Sequence, residues 1–224
     1  MISAVQLRKT NIELKEDTLT SVVFDNLFHL PDSLFWDIIK KSCFENHLPY
    51  FINFIDLYEF WPHWDHQNTE NERYVEPDLF IRFDNFDLII ESKWNKQQYY
   101  EQWKKEIIGY KNVYEKDKKN VYLLAIGGIN NENEENIDIE NYGSIKVAKC
   151  KWNNILEAIV NIKSKINNYC FSEINNIIRI INTIITGLEM HGFIYIHWLD
   201  DMINNIYYIN LENTYEIMSN WRIE

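Results

Sequence analysis

Apolar positions along this chain follow two periods, and the changes from one to the other mark out its elements. From Glu13 to Leu30 the residues Leu19, Val23, Leu27 and Leu30 recur every three or four positions and stop at Pro31, which predicts an amphipathic helix with Glu16 near its start. Asp32 or Ser33 can cap a second helix, whose stripe of Leu34, Phe35, Ile38 and Ile39 fades between Asn46 and Pro49. Tyr50 to Phe60 is aromatic and β-branched enough for a strand. His63 to Val75 is polar and irregular and reads as a loop.

The period shortens between Glu76 and Lys93. Two apolar runs, Leu79 to Phe83 and Leu88 to Ile90, flank the turn-prone pair Asp84-Asn85, which predicts a β-hairpin. A two-residue turn sets Phe83 against Phe86 and Asp78 against Glu91; a four-residue turn sets Phe83 against Leu88 and Asp78 against Lys93. Either register brings Asp78 to the end of the hairpin that holds Glu91 and Lys93. Strand side chains alternate faces, so Glu91 and Lys93 project to one side and Ser92 to the other.

Beyond the hairpin, Tyr99, Trp103, Ile107, Tyr110 and Tyr114 give Gln97 to Glu115 the pattern of a long helix with an aromatic face, while Gln98 and Gln102 share another face. Val121 to Ile126, closed by Gly127-Gly128, suits a buried strand next to the hairpin. Asn130 to Asn141 reads as an acidic loop, Ser144 to Cys150 as a strand and Asn153 to Ile166 as a helix. An isoleucine-rich helix follows from Ser172 to Met190, then short strands at Phe193 to Leu199 and Tyr207 to Leu211. The expected fold is α/β, a central mixed sheet flanked by helices in residues 1–169, with residues 170–224 as a mainly helical appendage packed on it.

Composition adds constraints. With 224 residues and 46% hydrophobic content the chain can bury a sizeable core. No stretch approaches the ~20 uninterrupted apolar residues of a membrane span, and the N-terminus lacks a basic region followed by an apolar signal core. A cytoplasmic protein with no membrane partner is the expectation. Cys43, Cys150 and Cys170 suit neither a disulfide framework nor a zinc site. A formal net charge of -12 argues against passive attachment to nucleic acid over the whole surface. The charge is uneven, however: Lys93 to Lys119 holds eight lysines against four acids, leaving room for a local basic face toward a polyanion.

Two carboxylates and a lysine gathered at one hairpin end repel and attract in ways that a divalent cation resolves. Mg²⁺ takes oxygen ligands, one or two carboxylates among them, so Asp78, Glu91 and the carbonyl of Ser92 form a suitable partial shell. Lys93 then stands ready to orient or deprotonate a water, or to balance charge building on phosphorus. The implied reaction is phosphodiester hydrolysis.

Pro77-Asp78, twelve intervening positions and then Glu91-Ser92-Lys93 resemble the signature of the PD-(D/E)XK nuclease superfamily, the restriction-endonuclease-like fold. The resemblance implies that Asp78 and Glu91 hold Mg²⁺ or Mn²⁺ and that Lys93 assists the attacking water. By the same resemblance an acid from the first helix would be Glu16, and a glutamine from the helix after the motif would be Gln102 or Gln98, with Gln102 preferred. The family's order of helix, three strands, helix and strand matches Glu16 to Ile126, about half the chain, with the helix from Asp32 as an insertion. It further implies DNA as substrate, with RNA as the alternative, and a restriction, phage-defence or mobile-element setting.

Because the chain is acidic, tight DNA binding should need a homodimer or a separate targeting subunit, with Lys96, Lys104, Lys105 and Lys111 as guides. From a different class, the same fold could serve as a noncatalytic interaction subunit, with the isoleucine-rich helix as its interface. His63 and His66 lack further ligands at sensible spacing, and Trp61, Trp64 and Tyr74 read as core or rim aromatics. No Gly-x-Ser-x-Gly or phosphate-cradling glycine loop is present.

Overall fold

The structure is a computed structural model and describes residues 13–45, 47–133, 135–139, 142–166 and 173–196. One compact unit runs through Phe193, and a second begins at Ile194. Among the described residues the order is α1 (Glu16–Leu27), α2 (Asp32–Ser42), β1 (Ile55–Phe60), β2 (Leu79–Phe83), β3 (Phe86–Ser92), α3 (Tyr100–Tyr114), β4 (Asn120–Ile126), β5 (Glu135–Ile139), β6 (Gly143–Cys150), α4 (Trp152–Ser164) and α5 (Ile174–Met190). The fold is mixed α/β.

The six strands form one sheet in the order β1-β2-β3-β4-β6-β5. The pairs β1/β2, β2/β3 and β5/β6 are antiparallel, while β3/β4 and β4/β6 are parallel. Helices cover both faces, as parallel central strands require. Trp103, Ile107 and Tyr110 of α3 share a buried cluster with Phe80, Ile89, Leu123 and Val147. On the opposite face Trp36 of α2 packs on Phe83 and Phe86, and Thr20 of α1 reaches Ser92. Every residue of β3 is buried, so the strand that carries Glu91 runs through the centre of the sheet.

The hairpin takes the two-residue turn: Leu79 pairs with Ile90, Phe80 with Ile89, Ile81 with Leu88 and Arg82 with Asp87. At its closed end the buried Asp87 accepts hydrogen bonds from Arg82 Nε at 3.2 Å and Nη2 at 2.8 Å, and from the Tyr110 hydroxyl at 2.8 Å. This satisfied buried network ties α3 to the turn.

Some boundaries differ from the expectations. The strand expected from Tyr50 begins only at Ile55, and Tyr50, Phe51 and Phe54 are exposed. The stretch Asn130 to Asn141 is not all loop, because β5 forms within it: Ile137 and Ile139 alternate with polar residues and bury against the sheet, a period-two signal that the acidic composition masked. Phe193 to Ile196 form no strand, and the remainder of that expected strand, the one at Tyr207 to Leu211, and Cys170 lie outside the described residues. Helix α5 belongs to the same compact unit as the sheet, and its Gly187 approaches the Val22 side chain of α1 closely. No helix among the described residues is long and apolar enough to cross a membrane.

Where β4 ends, the chain turns through Gly127 at φ 70°. An added Cβ there would overlap the Lys93 carbonyl oxygen, which already accepts a hydrogen bond from Trp152 Nε1 at 3.0 Å. Lys93 N–H in turn donates to the Ile126 carbonyl at 2.7 Å. Gly127→Ala is therefore expected to cost about 2–4 kcal/mol in urea unfolding, from strained backbone and displacement of Lys93. A loss below about 1 kcal/mol would show that this turn has slack.

Candidate functional site

Carried one residue past β2, the hairpin register sets Asp78 opposite Glu91, and the charged groups expected from the sequence gather there. Asp78 Oδ2 accepts from the Ser92 N–H at 2.7 Å and the Ser92 hydroxyl at 2.8 Å. Among the described residues its Oδ1 accepts no hydrogen bond. Lys93 Nζ pairs with Glu91 Oε1 and, at 3.4 Å, with Glu16 Oε1. Glu16, the first residue of α1, also accepts from the Trp94 N–H through Oε2 at 2.9 Å. The first helix thus contributes its carboxylate to the hairpin end.

The two glutamines separate in role. Gln102 Nε2 donates to Glu91 Oε1 at 2.6 Å and touches the site's carboxylate. Gln98 Nε2 donates to the backbone carbonyls of Glu91 and Ile126 at 3.1 and 3.2 Å, and its Oε1 accepts from Trp103 Nε1 at 2.8 Å, so it ties strand ends together.

Sequence reasoning missed Glu106. It is 1% exposed, one turn beyond Gln102 on α3, and among the described residues neither carboxyl oxygen meets a hydrogen-bond donor, although the Glu91 carboxyl is near enough to share a proton with it. A signal existed: an acid lies inside the stripe of Trp103, Ile107 and Tyr110, a place where helical periodicity calls for an apolar residue. An unsatisfied buried carboxylate is costly, so its presence asks for a compensating partner.

The environment pushes these acids toward their neutral forms. Burial, reinforced by the Asp78 charge and opposed by Lys93, pushes the Glu91 carboxyl up to about 7. Burial, then the charge of Glu91, raises Glu106 well above the usual carboxylate range. Asp78 is raised by burial, against which the two Ser92 hydrogen bonds act. Burial alone would lower the Lys93 ammonium, but the Glu91 carboxylate, by charge and hydrogen bond, and then Glu16 outweigh it and the net shift is upward. These neighbours favour the charged form of Lys93, which suits it to donate a hydrogen bond and to balance charge.

Four carboxyl groups, Glu16, Asp78, Glu91 and Glu106, thus face a single ammonium. No three His, Cys, Asp or Glu side chains among the described residues form a ready metal cage. Mg²⁺ does not require one, since it keeps several waters and takes one or two protein carboxylates. The unsatisfied oxygens of Glu106 and the open Oδ1 of Asp78 are the kind of hard donor such an ion uses, so the residues fit it.

No family model matches the chain. Over 127 residues it is 32% identical to an uncharacterized protein of Pasteurella multocida (strain Pm70), a stretch covering 55% of this chain and 46% of that protein. The chain therefore spans less than half the length of this relative. That likeness identifies a related sequence and names no chemistry.

The other sequence candidates fall elsewhere. His63 Nε2 contacts Glu76 Oε2 at 2.6 Å and its ring stacks on Tyr74 with centroids 3.8 Å apart. Trp64 is buried in the core and bridges to Val75. Cys150 is buried and Cys43 half-buried, both as thiols. Of the four guide lysines, Lys105 pairs with Glu70 at 3.0 Å and Lys111 lies near the rings of Tyr110 and Tyr142.

Proposed function

We propose that this protein is a divalent-metal-dependent nuclease of the PD-(D/E)XK type that hydrolyses phosphodiester bonds of DNA. The observation that carries the reading is the set of contacts on Glu91: Lys93 and Gln102 both donate to its Oε1, Asp78 lies opposite and Glu106 lies alongside. The order α1, three strands, α3 and β4, with α2 read as an insertion, supports the reading because it matches the order that the sequence resemblance implies. Asp78 and Glu91, with the Ser92 carbonyl, would hold Mg²⁺ or Mn²⁺, and the buried carboxyl of Glu106 would add negative charge beside them.

When bound, the ion supplies Lewis-acid stabilisation of charge on the phosphate and lowers the pKa of water. Lys93, kept protonated by Glu91 and Glu16, donates toward the negative charge that builds on the phosphate oxygens. Gln102 fixes the orientation of Glu91. The acidic chain engages DNA as a homodimer or through a targeting subunit, in a restriction, phage-defence or mobile-element setting, and RNA is the alternative polymer.

The test is incubation of the full chain with supercoiled and linear duplex DNA, single-stranded DNA and RNA, each with Mg²⁺, Mn²⁺ or chelator, beside Asp78→Ala. Cation-dependent cleavage that Asp78→Ala abolishes is expected. Cleavage in chelator, or surviving the substitution, would remove the assignment. Absence of cleavage together with cation-independent capture of a partner protein would favour the interaction subunit.

A further inference from the structure

Helix α1 reaches the site through a second side chain that the nuclease reading does not use. Thr20 lies one helical turn beyond Glu16 and is fully buried, as is Ser92. Thr20 Oγ1 is 2.6 Å from Ser92 Oγ, and Ser92 Oγ is 2.8 Å from Asp78 Oδ2. A hydroxyl has one proton to give. Asp78, when ionised, can only accept, so the Ser92 proton is committed to it and Ser92 must accept from Thr20. Thr20 Oγ1 also lies 3.1 Å from the Glu16 carbonyl, but a proton spent there would leave the Ser92 contact without a donor unless Ser92 released Asp78.

We infer that Thr20 is a positioning residue: its hydroxyl, acting through Ser92, holds Asp78 by Oδ2 and so presents Oδ1 as the oxygen offered to a divalent cation. With the Ser92 N–H as second donor, Oδ2 is doubly occupied and the carboxylate cannot swing. The arrangement also couples two parts of the site. Glu16 and Thr20 share one face of α1, so the seating of that helix sets both the Lys93 partner and the Asp78 orientation. Partners of this kind commonly change metal affinity about 10–100-fold when removed.

This inference rests on the metal-binding reading of Asp78, and the experiment separates the two. Mn²⁺ binding to the full chain is measured by titration calorimetry for wild type, Thr20→Val, Thr20→Ser, Ser92→Ala and the double variant Thr20→Val with Ser92→Ala. Thr20→Val is expected to weaken Mn²⁺ binding about tenfold, Thr20→Ser to restore it, and Thr20→Val to add nothing in the Ser92→Ala background, because the threonine acts only through the serine. Unchanged affinity in Thr20→Val, or losses that add in the double variant, overturns the relay while leaving the metal site standing. No Mn²⁺ binding by the wild type overturns the metal reading and the relay with it. Should Thr20→Val fail to fold, Ser92→Ala carries the test, since it leaves α1 intact: about tenfold weaker binding is expected, and unchanged affinity overturns the relay.

Discussion

Glu91→Gln is expected to lower metal-dependent phosphodiester cleavage by at least about 10³-fold, equivalent to about 4 kcal/mol of transition-state stabilisation. The substitution preserves shape, and its amide oxygen can still accept from Lys93 and Gln102, so the neighbourhood of β3 stays filled. What disappears is the charge. Glu91 is 1% exposed at the centre of the sheet, where nothing in solvent can replace it. Steady-state cleavage rates under saturating Mg²⁺, with circular dichroism to confirm an unchanged fold, decide the matter. Activity within tenfold of wild type would mean that this carboxylate is not part of the chemistry.

The second large effect concerns stability and has the opposite sign. Glu106→Gln is expected to make the metal-free protein more stable at pH 8, by about 2 kcal/mol, or about 5 °C in Tm. Burial and then the Asp78 charge hold Glu91 above the usual carboxylate range, and burial and then the Glu91 charge do the same for Glu106. An acid whose pKa is raised by folding contributes stability that is complete below its unfolded value and is lost as pH rises through the folded one. For Glu91 that window runs from about 4.5 to about 7, and Glu106 is shifted in the same direction. The metal-free wild type should therefore weaken from pH 5 to pH 8. The glutamine variant should weaken less, and the two should converge near pH 5. Millimolar Mn²⁺ should raise the Tm of the wild type more than that of the variant. A wild type that is the more stable of the two at pH 8 would show that Glu106 has a compensating partner in the protein itself.

These opposite signs bear on how much of the molecule was legible in the sequence. The hairpin was readable because a period of two in a short segment leaves few alternatives, and the convergence of Asp78, Glu91 and Lys93 survived either turn length. Glu16 and Gln102 were reachable by resemblance, and both touch the group in the structure. Glu106 and Thr20 were not found, for one physical reason. Each sits on a buried helix face where pattern reading looks for apolar residues, and its importance comes from a strand more than a dozen residues away in sequence. Strand β5 escaped differently, because four acids and asparagines around Ile137 and Ile139 outweighed a short alternation. Local periodicity reports which face is buried; it does not report what that face meets.

Gln102, Glu106 and Tyr110 lie at intervals of four along α3, with two of them at the open end of the hairpin and the third bound to Asp87 at the closed end. The helix is therefore indexed at both ends against the same pair of strands. Each residue inserted into or deleted from the span between Gln102 and Tyr110 would turn one end by about 100° relative to the other. Contacts at both ends of the hairpin thus fix the length of this segment.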